Sequence, residues 1–238
     1  MDLVDPTRAV TPTLDGPVLA VLATAGRAMT VGEIAGQTAR GSEIGVRRSL
    51  GRLVEQGIVR ATEVGRNRVH ELNRDHVAAP IAIAMAGLRL ELWKRLHETL
   101  AKWKVHAVYA CAFGSAARAD GGPESDIDLL LVHPPFPGEK RPRRSNTLRR
   151  ALGAVALDMT LPLTTDADEA KWRQQVDELH PAVHAWTGNP LQVVDVSAFD
   201  WVDRGQSRSL FDEIDRDAVV LIQPAALAAM AAKSTRET

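Results

Sequence analysis

The sequence predicts an α+β protein in two parts, and three patterns carry this prediction. Apolar residues recur at helical spacing in three successive segments between residues 17 and 56. Two short runs of β-type residues follow them and end near residue 72. From residue 105 onwards, apolar strand-like runs alternate with helical segments, which is typical of a mixed sheet flanked by helices.

The composition is that of an ordinary globular protein, with 45% hydrophobic and 25% charged residues among 238. The net charge is −1, so any surface that binds nucleic acid must be local. The single cysteine, Cys111, excludes an internal disulfide and a cysteine-rich zinc site. Since no apolar stretch is long enough to cross a bilayer and no signal peptide is visible, we expect a cytoplasmic protein that does not bind membranes.

The first helices are predicted from their end signals. Residues 1–16 lack an apolar period and are expected to form a flexible arm. Pro17 suits the first turn of a helix, and Gly26 suits its end. Thr30 and Glu33 have the spacing of a capping box, which predicts a second, short helix.

A third helix and a hairpin complete this part. Ser42 is the candidate N-cap of a helix over 43–56. Strands over 58–64 and 68–72 are expected to be joined by a turn at Gly65-Arg66-Asn67.

This order of helices and hairpin over residues 1–75 resembles the winged helix-turn-helix family. The resemblance implies that helix 43–56 reads DNA and that the hairpin is the wing. The candidate DNA-binding residues are basic and lie on these two elements: Arg47, Arg48, Arg52, Arg66 and Arg68. The alternative is that these arginines solvate a surface that contacts only proteins.

Residues 76–104 are predicted to form one long amphipathic helix, because apolar residues recur at steps of three and four from Ile81 to Trp103. This connecting helix either packs against both parts or pairs with a second copy of the chain, which makes a homodimer an expectation.

The candidate phosphate-binding and metal-binding residues lie within residues 105–238. A strand over 105–113 is followed by Gly114-Ser115 and a short helix, whose first N–H groups suit a phosphate. Asp126 and Asp128 open the next apolar run, and residues two apart in a strand share a face. Two such carboxylates favour a hard cation such as Mg²⁺.

The stretch FGSAARADGGPESDIDLLLV resembles the signature of the DNA polymerase β-like nucleotidyltransferases, in their minimal branch. The matching positions are Gly114, Ser115, Arg118, Ser125, Asp126 and Asp128. The resemblance implies that the glycine and serine, with Arg118 and Ser125, hold a nucleoside triphosphate and that the aspartates bind Mg²⁺ or Mn²⁺. The chain departs from the family pattern at Ala119, where relatives usually have glycine.

The resemblance also implies a third carboxylate on a later strand, for which the sequence offers two candidates. Asp195 lies in the β-type run 191–196, and Asp158 lies in the apolar run 155–159. We expect Asp195 to be the third metal ligand or base, with Asp158 as the alternative.

The predicted function is metal-dependent transfer of a nucleotide, AMP from ATP or another NTP, to a hydroxyl. The acceptor is a protein, RNA or small molecule, and the N-terminal part binds DNA as a transcription regulator does. The alternative is a non-catalytic regulator that senses a nucleotide, or an antitoxin-like protein that binds a partner.

Overall fold

The computed structural model describes residues 1–140, 164–202 and 208–223. The chain divides into two compact units. The first contains Met1–Leu92 with Gly122–Glu124, and the second contains Trp93–Gly121 with Ser125–Thr238. Asp158 lies outside the described residues.

The first unit is built from helices and a small antiparallel sheet. Its helices are a short 3₁₀ helix (Pro6–Ala9), α1 (Asp15–Ala25), α2 (Val31–Gln37), α3 (Glu43–Glu55) and α4 (Ala79–Ala86). Its strands are β1 (Met29–Thr30), β2 (Val59–Val64) and β3 (Asn67–Leu72), in the order β1-β3-β2. The core of this unit includes Val18, Leu22, Ile34, Val46 and Leu50.

The predicted helix ends are confirmed. Thr30 and Glu33 form the complete capping box at the start of α2, and the Ser42 hydroxyl accepts the Gly45 N–H at 3.2 Å at the start of α3. Gly26 ends α1 with a φ of 61°, a left-handed conformation that glycine adopts without strain. The predicted hairpin is present as β2 and β3.

The expected flexible arm is wrong. The Leu3 side chain is fully buried, with 0% exposure. The buried Asp5 carboxylate accepts a hydrogen bond from Arg40 Nε at 2.6 Å and another from the Thr7 hydroxyl. A short segment without an apolar period can still be ordered when one of its side chains is buried in the core and its buried charge forms an ion pair.

The expected single helix over 76–104 is also wrong. The structure has two helices instead, α4 and α5 (Leu88–Ala101), which meet at Gly87. Glycine is a poor helix former, and its N–H here donates to the carbonyls of Ile83 and Ala84 at the end of α4. The predicted apolar stripe is only partly buried, because Ile81 is 61% exposed. The boundary between the two units falls within α5, after Leu92.

The second unit confirms the mixed sheet flanked by helices. Its strands are β4 (Tyr109–Phe113), β5 (Ile127–His133), β6 (Leu191–Ser197) and β7 (Val219–Ile222), in the order β6-β5-β4-β7. Only the β5–β6 pair is parallel among these described strands. The helices are α6 (Gly114–Arg118), α7 (Asp166–Thr187), α8 (Ala198–Val202) and α9 (Arg208–Asp217).

The two faces of this sheet have different coverings. On one face, Leu130 and Val132 of β5 join a core cluster with Trp201 of α8 and Ile214 of α9. On the other face, the alternating residues of β5 include the fully buried Leu131. This separation decides which side chains can reach one another in the candidate site. In the described ranges, no helix has the length and apolar character needed to cross a membrane.

Candidate functional site

The site begins where β4 turns into α6 beside β5. Strand pairing places Phe113 opposite Asp128. The next residue, Gly114, has a φ of +69°, and a Cβ built on it would lie 2.3 Å from Oδ2 of Asp128. Only glycine permits this backbone conformation and this close approach together. The Gly114 turn and the Asp128 carboxylate therefore lie in one site.

A second glycine brings the two predicted serines together. A Cβ on Gly121 would lie 2.8 Å from Oγ of Ser115 and 3.3 Å from Cβ of Ser125. The Asp120 N–H donates to the Ser115 carbonyl at 3.1 Å, which closes the loop after α6. Ser115 and Ser125 are thus neighbours on either side of Gly121.

The two aspartates are close enough to influence each other. Asp126 is exposed and immediately precedes β5, and Asp128 is half-buried within the strand. Burial raises the pKa of the Asp128 carboxyl, and the negative charges of Asp126 and Glu213 raise it further. A divalent cation would relieve this repulsion.

The donor set fits such a cation in part. Mg²⁺ usually takes one or two protein carboxylates and completes its shell with water and phosphate oxygens, as Asp126 and Asp128 would allow. Within the part of the chain that the structure describes, no group of three or more His, Cys, Asp or Glu side chains is arranged to hold a metal ion.

Asn189 is a supporting residue that the sequence did not predict. It is fully buried and follows Gly188, which ends α7. Its Nδ2 donates to the Ser125 carbonyl at 2.9 Å, and the next carbonyl, of Pro190, accepts the Ile127 N–H at 2.9 Å. These bonds fix the backbone on both sides of Asp126. The only signal in the sequence was a polar residue between a helix-ending glycine and a proline.

Arg118 is held in ion pairs rather than left free. Its Nε donates to Asp120 at 2.9 Å, and its Nη1 donates to Glu213 at 2.8 Å. Asp217 lies 3.8 Å from the same Nη1. Glu213 and Asp217 belong to α9, and nothing in the sequence indicated that this helix reaches the Gly-Ser turn.

Ala119, the departure from the family pattern, has an unusual backbone. Its φ is 65°, and it is the one non-glycine residue with a positive φ in the described ranges. It ends α6 in the left-handed conformation, where a Cβ costs about 1–2 kcal/mol. A glycine at this position would adopt the same turn without that cost.

The expectation that Asp195 completes the site is corrected. Asp128 pairs with Gln192 of β6, whereas Asp195 pairs with Leu131. Asp195 therefore lies on the opposite face of the sheet, about 10 Å further along the strands. Its Oδ2 accepts the indole N–H of Trp172 at 2.9 Å. Burial raises the pKa of the Asp195 carboxyl on this side. The alternative, Asp158, lies outside the described residues.

The candidate DNA-binding arginines are all exposed: Arg47, Arg48, Arg52, Arg66 and Arg68. The first three lie on α3, and the other two lie on the β2–β3 hairpin. Two of them have short ion pairs, Arg47 with Glu43 at 2.8 Å and Arg52 with Asp15 at 2.7 Å.

The comparison with known proteins found a family match that begins within the second unit. Residues 94–206 match the family model described as nucleotidyltransferase domain. No curated protein matches the chain. The matched range contains the Gly114 turn, both site aspartates and the strands β4, β5 and β6. The match supports placing this part of the chain in the nucleotidyltransferase superfamily.

Proposed function

We propose that the second unit is a minimal nucleotidyltransferase that moves a nucleoside monophosphate, AMP from ATP, onto a hydroxyl acceptor. The observation that carries the proposal is the close approach of the Gly114 turn to the Asp128 carboxylate. It places a candidate phosphate-binding backbone beside candidate metal ligands, as this reaction requires. The acceptor is a hydroxyl of a protein, an RNA or a small molecule.

Asp126 and Asp128 would hold Mg²⁺ or Mn²⁺. When bound, the cation supplies a positive charge that neutralises phosphate oxygens and orients the reacting groups. The raised pKa of Asp128 supports this role, because part of the rise comes from repulsion between the two carboxylates, which a counter-charge would relieve.

The surrounding residues bind and orient the triphosphate. The Ser115 hydroxyl and the backbone N–H groups after Gly114 donate hydrogen bonds to phosphate oxygens. The Arg118 guanidinium adds a positive charge beside them. The hydrogen bond from Asn189 to the Ser125 carbonyl keeps the loop before β5 in place during the reaction.

The test is to incubate the purified chain with each α-labelled NTP and Mg²⁺, with and without cell extract. Label should transfer to an acceptor, and Asp126→Asn with Asp128→Asn should abolish transfer while the far-UV spectrum stays unchanged. Asp177→Asn removes an exposed carboxylate from α7 and serves as the control. Equal transfer by the double variant and the parent would show that the assigned site is wrong.

We further propose that the first unit is a winged helix-turn-helix that binds DNA, with α3 as the recognition helix and the β2–β3 hairpin as the wing. The support is the order of elements and the exposure of arginines on both of them. Together with the second unit, this module makes a transcription regulator the proposed biological role, with a homodimer as its proposed state on DNA.

A second candidate function is nucleotide sensing without transfer, or antitoxin-like binding of a partner protein. Two observations favour it: Ala119 occupies a strained turn beside the site, and Arg118 is already bound by carboxylates. ATP binding with Mg²⁺ that changes DNA affinity, without release of pyrophosphate, would select this alternative.

A further inference from the structure

The Arg118 guanidinium joins two segments that are far apart in the sequence. It lies at the end of α6, and one of its short ion pairs is to Glu213, 95 residues later on α9. The Arg118 side chain is 33% exposed and that of Glu213 35% exposed, so this pair is partly shielded from solvent. It therefore connects α9 to the loop that follows the Gly114 turn.

Among the described residues, carboxylates hold the Arg118 guanidinium at two of its three nitrogens. Asp120 takes the Nε–H, and Glu213 takes one N–H of Nη1. Arginine has five N–H donors in a rigid planar fork, so these two bonds leave one N–H on Nη1 and both on Nη2 for other acceptors. An arginine held at two nitrogens by carboxylates presents its remaining donors in fixed directions.

Glu213 is itself held firmly. The next residue, Ile214, is buried in the core cluster that includes Leu130 and Trp201. The Ala218 N–H donates to the Ile214 carbonyl at 3.1 Å, and β7, which follows directly, pairs with β4. The backbone that carries the Glu213 side chain is thus anchored to the same sheet as Asp128.

We propose that Glu213 is a positioning residue for nucleotide binding, which acts by fixing the direction of the Arg118 guanidinium. This inference rests on the proposed function. Because Glu213 acts through Arg118, it affects how well phosphates are bound more than how fast they react. Asp217 contributes less, because it lies 3.8 Å from Nη1 and pairs with Arg216 Nε at 2.8 Å.

The test compares Glu213→Gln with the parent chain in steady-state transfer and in direct titration with Mg·ATP. We expect KM and Kd for ATP to rise about fivefold, the usual order for one charge-assisted hydrogen bond, while kcat stays within about twofold. Asp212→Asn is the matched control, since it removes an exposed carboxylate one residue earlier on the same helix. It should leave both constants unchanged.

A double-mutant cycle separates positioning from a general effect of charge. With Arg118→Met in place, Glu213→Gln should no longer raise KM or Kd. An additive effect in the cycle, an unchanged Kd, or a lower Kd in Glu213→Gln would each overturn the inference. The lower Kd would mean that Glu213 competes with phosphates for Arg118.

Outcomes for the two proposals remain distinct. A parent chain that neither binds nor transfers any NTP overturns the proposed function and this inference with it. A parent that binds ATP with the same affinity as Glu213→Gln overturns the inference alone. The Arg118–Glu213 ion pair can also be measured without a nucleotide. The Arg118 Nη–H signals in ¹⁵N NMR should exchange faster in Glu213→Gln than in Asp212→Asn.

Discussion

Gly114 and Asp128 lie so close that a Cβ on the glycine would be 2.3 Å from the carboxylate oxygen. This close approach joins the end of β4 to the start of β5 and defines the centre of the proposed site. It also makes the position intolerant of any side chain, since the φ of +69° is itself unfavourable for other residues.

Gly114→Ala is therefore expected to impair the site and to destabilise the fold by about 2 kcal/mol, from combined backbone strain and steric overlap. Thermal unfolding and ATP binding measure the two effects. Gly122→Ala is the control, because a Cβ there meets no atom within 4 Å. If both alanine variants melt and bind alike, the close approach at Gly114 is wrong.

Ala119→Gly should stabilise the chain by about 1 kcal/mol, because it relieves a left-handed conformation at the end of α6. Urea unfolding followed by fluorescence measures the change. Ala117→Gly, within the same helix, should have the opposite sign, since glycine lowers helix stability there. A loss of stability in Ala119→Gly would contradict the assigned backbone conformation.

The raised pKa of Asp128 predicts a pH dependence of stability. Its folded pKa lies above the ordinary value of 3.8, so the folded chain favours the protonated form. As the pH rises above 3.8, ionisation of this carboxyl lowers the free energy of unfolding. The full loss is reached once the pH lies above the folded pKa. Asp128→Asn should raise the Tm of the metal-free chain at pH 7 and have little effect near pH 3.

The same pair of proteins tests for the cation. Added Mg²⁺ should raise the Tm of the parent chain, because binding stabilises the folded state. It should have a smaller effect on Asp128→Asn, which lacks one proposed ligand. An equal response of the two chains to Mg²⁺ would argue against Asp128 as a metal ligand.

Asp195→Asn should keep nucleotide transfer within about twofold of the parent, because Asp195 lies on the other face of the sheet and bonds to Trp172. Asp158→Asn, measured in the same assay, tests the alternative that the sequence left open. A loss of transfer in Asp195→Asn as large as in Asp128→Asn would require a different pairing register for β6.

Arg48→Ala with Arg66→Ala should weaken DNA binding, and the slope of log K against log salt should fall by about 1 for each phosphate that the variant no longer neutralises. Electrophoretic mobility shifts at several salt concentrations measure this. Arg8→Ala removes an exposed arginine from the N-terminal 3₁₀ helix and serves as the control. Unchanged affinity in the double variant would favour the alternative of a surface that contacts only proteins.

The sequence by itself determined the features that depend on neighbouring residues. The capping box of Thr30 and Glu33, the glycine that ends α1 and the hairpin all formed as predicted, because their hydrogen bonds join residues a few positions apart. The spacing of Gly114-Ser115 and the two aspartates likewise predicted a turn and a strand that lie side by side in the structure.

Only the tertiary structure decided the rest. A strand's faces alternate, so the register of β6 against β5 placed Asp195 away from Asp128, and no local pattern fixes that register. The Arg118–Glu213 pair and the bond from Asn189 to Ser125 join residues separated by 95 and 64 positions. Such pairings follow from how the sheet and helices pack, and packing depends on the whole chain at once.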